Sequence, residues 1–113
     1  MHELSLATEM VRTVEDVLRK EGAGEVVSIY VSVGALSGVE REPLEFCFPI
    51  AAEGTPLAGA RLVIEEVPIA VRCGECEKDS QPEYPMIECV ECGSPNVEIT
   101  AGREFVIKSL EVR

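Results

Sequence analysis

The chain has 113 residues, and its 21 acidic and 10 basic side chains give a formal net charge of −11 at pH 7. A chain of this length holds one modest hydrophobic core and a small appendage. The negative charge argues against nucleic acid and anionic membranes as partners and favours proteins or cations.

An amphipathic helix is the first predicted element, over residues 4–21. Its apolar residues recur at steps of three and four, which places them on one face of a helix; they are Leu4, Ala7, Val11, Val14 and Leu18. The helix is expected to end where the basic pair Arg19 and Lys20 is followed by Gly22, because basic last turns and glycine are typical of helix C-termini.

The next two predicted elements are a strand and a short helix. Over residues 26–33, apolar and small polar residues alternate, as in a strand with one buried face; the apolar ones are Val27, Ile29, Val31 and Val33. A helix then opens at Glu42 and Pro43, because proline is tolerated in a first turn. Pro49 lacks a backbone donor, so this helix is predicted to be kinked or to end near Phe48.

Two further strands are predicted, over residues 61–67 and 104–112. In the last strand, alternation puts Phe105 and Ile107 on one face and three apolar residues on the other: Val106, Leu110 and Val112. The resulting fold class is α+β, a small three-stranded sheet with two helices plus an inserted zinc-ribbon-like module. The predicted domains are residues 1–68 with 102–113, and residues 69–101.

Four of the five cysteines form two Cys-x-x-Cys pairs separated by twelve residues: Cys73, Cys76, Cys89 and Cys92. Each pair can present two sulfurs from one tight turn, and four thiolates suit one tetrahedral zinc ion. Because no position is left open for water or substrate, the zinc is expected to stabilise the fold. A thiol-disulfide pair, two unrelated Cys-x-x-Cys turns and a rubredoxin-like iron site are the alternatives. The remaining Cys47, between two phenylalanines, is expected to be a small buried apolar residue.

The expected compartment is the cytoplasm. No apolar run approaches the roughly 20 residues of a membrane span, and the N-terminus lacks the pattern of a signal peptide. Cys-x-x-Cys pairs in a reducing compartment are more often metal ligands than disulfides.

Several short motifs occur in a fixed order along the chain. Met1-His2-Glu3-Leu4-Ser5 is followed by Gly54-Thr-x-x-x-Gly59-Ala60, by Leu62-x-Ile64-Glu65-x-x-Pro68 and by the two cysteine pairs. Together they resemble the HypA/HybF family of hydrogenase nickel-insertion proteins, over nearly the whole length.

The resemblance implies a nickel metallochaperone for nickel-iron hydrogenase that in some organisms also serves urease. It implies two partners, a HypB-like nickel-handling GTPase and the hydrogenase large subunit, and a monomer or homodimer. The nickel ligands implied are at the N-terminus, centred on His2 with Glu3 beside it and an acidic residue near Glu40 close by.

The N-terminal residues also suit nickel on chemical grounds. The amine of Met1, the deprotonated backbone nitrogen of His2 and its ring nitrogen form fused chelate rings in one plane, and Glu3 would supply a fourth ligand. Planar nitrogen-rich geometry favours Ni(II) or Cu(II) over zinc. Alone, a histidine at position 2 is usually a solvated residue.

Two other function classes compete with a nickel carrier. A zinc-ribbon adaptor that only joins proteins needs no second metal site, and an electron carrier needs iron. An enzyme has little support, because His2 is the one histidine and the chain has neither a phosphate-binding loop nor an evident catalytic pair.

Overall fold

The structure is a computed structural model that describes residues 3–22 and 24–113. Its elements in chain order are α1 (Glu3–Glu21), β1 (Val26–Gly34), α2 (Arg41–Ala52), β2 (Arg61–Val67), β3 (Ala70–Cys73), β4 (Asp79–Ser80), β5 (Val97–Ala101) and β6 (Phe105–Val112). Within the described part of the chain, no helix is both long and apolar enough to cross a membrane.

The first sheet contains the three strands that the sequence predicts, in the order β2, β1, β6. β1 is parallel to β2 and antiparallel to β6. The parallel pair requires a crossover between the two strands, and α2 makes it. The prediction of one sheet assembled from distant segments is confirmed.

Both helices contribute to the core beside this sheet. α1 buries Val14 and Leu18, β1 buries Ile29 and Val31, and α2 buries Phe48. Each large apolar side chain that becomes fully buried contributes about 1.5–3 kcal/mol to folding. Packing, more than helix propensity, therefore stabilises α1 and α2.

Two residues on the predicted faces lie elsewhere in the structure. Leu4, at the start of α1, is exposed, and Met10 takes a place in the buried face because it lies three residues after Ala7 and four before Val14. In β1, Val26 is buried in place of Val27, since the pairing with β6 shifts by one residue between Val26 and Ser28.

The helix α2 continues through Pro49 to Ala52, so of the two predicted alternatives, a kink or an end near Phe48, the second is wrong. Proline at this position removes a hydrogen bond to the carbonyl of Glu45. Glu45 and Pro49 are both exposed, which leaves that carbonyl accessible to water. The interior side chains Leu44, Phe48 and Ala52 hold the helix on the core despite the missing bond.

A bulge in β6 changes which side chains of the last strand meet the core. Tyr30 pairs with Ser109 and Val31 with Ile107, so Lys108 is an extra residue in the ladder. One extra residue reverses the alternation beyond it. Leu110 therefore packs against the core with Phe105 and Ile107, and its predicted grouping with Val106 and Val112 is wrong.

A second sheet, in the order β4, β3, β5, occupies the segment predicted as a zinc-ribbon-like module. Its buried residues are Ile69, Val71, Cys73, Pro82 and Cys89. Its strands are two to five residues long, too short for the alternation by which the longer strands are recognised.

The two sheets are joined where the backbone passes the end of β1. The carbonyl of Gly102 accepts a hydrogen bond from Leu36 N at 2.6 Å, and the carbonyl of Glu104 accepts one from Gly34 N at 2.7 Å. A Cβ at Gly34 would overlap the Gly102 carbonyl. The division at residues 68 and 102 stays a prediction, although each sheet lies within one of the predicted units.

Candidate metal centre

The first cysteine pair forms a tight turn at the end of β3. Cys73 N donates to the carbonyl of Lys78 at 3.0 Å, and Glu77 N donates to the carbonyl of Cys73 at 3.1 Å. Glu77 adopts a left-handed backbone conformation with φ of 62°. This turn directs the sulfurs of Cys73 and Cys76 toward the same point.

The second pair repeats this geometry position by position. Cys89 N donates to the carbonyl of Ser94 at 2.9 Å, and Gly93 N donates to the carbonyl of Cys89 at 2.8 Å. Gly93, the equivalent of Glu77, has φ of 78°. The two turns are therefore structural copies, although only the second has the glycine that this conformation favours.

The four sulfurs form one compact cluster. Cys73 Sγ lies 3.6 Å from Cys92 Sγ, and Cys76 Sγ lies 3.6 Å from Cys89 Sγ. All four sulfurs lie within 4.8 Å of one another. Zinc–sulfur bonds of about 2.3 Å at tetrahedral angles separate the sulfurs by about 3.8 Å. The cluster is thus consistent with a zinc site.

Backbone N–H groups inside the turns point at two of the sulfurs. Cys76 N and Glu75 N lie 3.4 and 3.3 Å from Cys73 Sγ, and Cys92 N lies 3.4 Å from Cys89 Sγ. The hydrogen bond from Cys76 N is the main cause that lowers the pKa of Cys73. The bond from Cys92 N is the main cause that lowers the pKa of Cys89 to about 6. These N–H groups therefore favour the thiolate form of both sulfurs.

The pKa values of the other two thiols are shifted in the opposite direction. A backbone hydrogen bond from Ser94 lowers the pKa of Cys92, but its interactions with Cys73 and Cys89 and its burial raise the pKa to about 12. The pKa of Cys76 is also raised; a backbone bond from Lys78 opposes the shift, while burial and Cys89 cause it. Four adjacent thiolates repel one another, so the fully ionised set requires a bound cation.

Asn96 supports the first turn from the side. Its carbonyl accepts a hydrogen bond from Gly74 N at 2.8 Å, and its side-chain amide lies 3.4 Å from a carboxylate oxygen of Glu75. A Cβ at Gly74 would lie 2.7 Å from Asn96 Nδ2, so a larger residue there would displace the Asn96 side chain. Sequence reasoning missed Asn96 and Glu77, and no motif in the sequence marks either residue.

Two of the three predicted nickel ligands lie outside the part of the chain that the structure describes. Met1 and His2 lie outside the described residues. Glu3 is the first residue of α1 and is half-buried, and Glu40 is the N-cap residue of α2, with no hydrogen bond from its side chain to the helix. The nickel site accordingly stays a prediction. In the part of the chain that is described, the cysteine cluster is the one group of three or more potential metal ligands.

Cys47 lies on α2, away from the cluster. It is half-buried and packs against the core of the first sheet. This is close to the small buried apolar residue that its position between Phe46 and Phe48 predicts.

Comparison with known proteins gives a consistent result over the whole chain. The family model described as "Hydrogenase/urease nickel incorporation, metallochaperone, hypA" matches residues 1–112. The hydrogenase maturation factor HypA of Chlorobium limicola is 42% identical over 112 residues, which cover 99% of this chain and 97% of that protein. HypA of Chloroflexus aggregans is 43% identical over 112 residues, which cover 98% of each.

Solved structures show the same likeness. The solution structure of the Ni metallochaperone HypA from Helicobacter pylori matches with a TM-score of 0.70 at 26% identity, over 99% of this chain and 97% of that one. Another solution structure of a HypA protein matches with a TM-score of 0.73 at 26% identity, over 100% of this chain and 97% of that one. With a family match over nearly its full length, the chain belongs to the HypA family of nickel-incorporation metallochaperones.

Proposed function

We propose that this protein carries Ni(II) at its N-terminus and assists nickel insertion into nickel-iron hydrogenase. The observation that carries this proposal is the family match over residues 1–112, together with relatives named hydrogenase maturation factors. Nickel is the cargo, so the protein acts as a carrier and not as a catalyst. Thiolates persist in a reducing compartment, and the proposal therefore places this work in the cytoplasm.

A zinc ion bound by Cys73, Cys76, Cys89 and Cys92 is the second part of the proposal. When bound, zinc supplies the positive charge that four adjacent thiolates require. The turns already position the sulfurs, and their N–H groups neutralise part of the charge on Cys73 and Cys89. Because all four positions are cysteine, the site is closed, as in structural zinc sites.

The proposed nickel ligands are Met1, His2 and Glu3. The Met1 amine and the backbone and ring nitrogens of His2 form a plane with a carboxylate or backbone ligand from Glu3. This set differs from the cysteine set in shape and in ligand softness, so each site selects its own metal. Glu3 begins α1, which connects the proposed cargo site directly to the first core.

Metal counting on untagged protein tests the proposal. We expect one zinc and, after addition of Ni(II), one nickel for each chain. His2→Ala removes the imidazole, and one extra residue before Met1 converts the chelating amine into an amide. Both changes should abolish nickel binding and leave the zinc content unchanged, whereas Cys89→Ala should lose zinc.

Four outcomes contradict parts of the proposal. Equal nickel affinity in the extended protein, with the same planar absorption spectrum, would move the site away from the terminus. Zinc without any nickel binding would favour a zinc-ribbon adaptor, and bound iron would favour an electron carrier. Tight zinc retained by Cys89→Ala would remove the ligand assignment.

The proposed partners are a HypB-like nickel-handling GTPase and the hydrogenase large subunit. The support is the family's role in hydrogenase maturation, since nickel has to be received from one protein and delivered to another. The net charge of −11 favours partners with basic contact surfaces.

A further inference from the structure

The helix α2 carries a row of apolar side chains, two of them exposed and two half-buried. Pro43, Phe46, Cys47 and Ile50 follow one another at steps of three and four residues, so they are neighbours along one side of the helix. Phe46 exposes 73% of its surface and Ile50 52%, while Pro43 and Cys47 are half-buried. We call these four residues the α2 apolar row.

The exposed members of the row are separate from the face by which α2 packs on the core. Leu44, Phe48 and Ala52 form that face and are fully buried. On the helical wheel, Phe46 and Ile50 point well away from Leu44 and Phe48. Their exposure is therefore a property of the surface, and the core does not require a large apolar residue at either position.

Acidic side chains border the row. Glu42, Glu45 and Glu53 are exposed on α2 or directly after it. The one base on the helix is Arg41, and it is engaged by carboxylates, at 3.7 Å from Glu45 and 3.4 Å from Glu66. The surface around Phe46 and Ile50 is consequently apolar along the row and negative along one side of it.

This charge distribution decides between possible occupants. A second copy docking antiparallel by the same row about a two-fold axis would bring the two acidic sides together, and any second copy carries the same net charge of −11; like charges at an interface are unfavourable. A partner with apolar side chains flanked by lysine or arginine would match both features. We propose that the α2 apolar row is a docking surface for a basic amphipathic helix of another protein.

The test uses the full zinc-bound chain and a synthetic helical peptide. The peptide has leucines at the spacing of the α2 apolar row and lysines on both sides of them. We expect its addition to shift the backbone amide NMR signals of residues 42–53. The double variant Phe46→Ser/Ile50→Ser should bind the peptide at least about tenfold more weakly, because buried apolar anchors dominate such contacts.

Two matched controls separate docking from general attraction between opposite charges. A scrambled peptide has the same composition but no continuous leucine face, and it should bind at least about tenfold more weakly than the aligned peptide. The variant Val106→Ser/Val112→Ser removes side chains of comparable exposure, 48% and 47%, from β6 and should bind as the wild type does. Phe46→Lys, a single exposed change, gives a second test if the double variant does not fold.

The proposal is overturned if the aligned peptide does not bind, if both peptides bind equally, or if the signal shifts fall on residues 75–91. It is also overturned if sedimentation shows that the chain self-associates and that Phe46→Ser/Ile50→Ser abolishes the self-association. That result would identify a second copy as the occupant. None of these outcomes depends on nickel binding, so they are independent of the proposed function.

Discussion

Glu77 and Gly93 occupy the same position in the two cysteine turns, and both have positive φ. A left-handed backbone costs a residue with a Cβ about 1–2 kcal/mol, and glycine avoids this cost. Part of this gain in stability is lost because glycine is more flexible than other residues in the unfolded chain. The first turn is therefore strained at a position where the second is not.

We predict that Glu77→Gly stabilises the zinc-bound protein by up to about 1 kcal/mol, whereas Gly93→Ala destabilises it by about 1 kcal/mol. Denaturant unfolding with excess zinc measures both changes. Glu77→Gln is the matched control, because it removes the same charge and keeps the strained backbone. The interpretation is wrong if Gln and Gly at position 77 have equal effects.

Glu104 stabilises the backbone that leads out of the second sheet. Its carboxylate accepts a hydrogen bond from Gly102 N at 2.6 Å. Hydrogen bonds from the backbone of Glu104, Gly102 and Arg103 hold the pKa of this carboxyl below its ordinary value. A carboxyl whose pKa is lower in the folded than in the unfolded protein stabilises the fold at pH values above its unfolded pKa. That stabilisation is lost as the pH falls through the folded pKa.

We therefore predict that Glu104→Gln destabilises the protein at neutral pH and that this difference from wild type shrinks as the pH falls below about 4. Urea midpoints measured over that range, with excess zinc, give the difference at each pH. Glu98→Gln, at an exposed site on β5, serves as the control. A difference that stays constant with pH would show that the carboxylate charge is not what stabilises this backbone.

At the scale of the elements, α1 combines a buried face with exposed basic residues. Val14 and Leu18 pack on the core, while Arg12, Arg19 and Lys20 are exposed on the other side. Arg19 is paired with Asp16 on the preceding turn of the helix. In a chain of net charge −11, exposed bases such as these are among the few groups to which an acidic group of a partner can bind.

On the proposed GTPase partnership, Arg12→Glu and Arg19→Glu should each weaken binding of the GTPase several-fold. Exposed charges of this kind contribute about 1 kcal/mol or less, mostly through the association rate. Lys108→Glu is the control, because Lys108 lies on β6 beside Glu65. Binding titrations in which all three variants weaken equally, or none does, would remove α1 from the interface.

At the scale of the whole molecule, the two sheets are connected by backbone packed against backbone. Gly34, at the end of β1, faces the carbonyl of Gly102, and Gly102 has φ of 109°. A Cβ on Gly102 would lie 2.9 Å from Ile69 Cα. The two chain segments that connect the sheets therefore depend on the absence of side chains at Gly34 and Gly102.

Gly34→Ala should consequently destabilise the protein by about 3 kcal/mol or more, because the atom it meets is a carbonyl that cannot rotate away. Gly24→Ala is a matched control, since its Cβ would meet no atom closer than 3.9 Å and should change stability by less than about 0.5 kcal/mol. Urea unfolding with excess zinc compares the two. Equal stability of the two variants would mean that the junction relaxes freely.

Most of the secondary structure and the cysteine site follow from local sequence. The three strands of the first sheet, both helices and the four cysteines are predicted because periodicity and ligand spacing are local properties, encoded within a few turns of chain. The bulge at Lys108, the continuation of α2 through Pro49 and the matching backbone of Glu77 and Gly93 were decided only by the tertiary structure. Each depends on what a distant segment places beside the residue: a neighbouring strand that sets the register, a core that holds a helix despite a missing hydrogen bond, and a second turn that brings four sulfurs to one point.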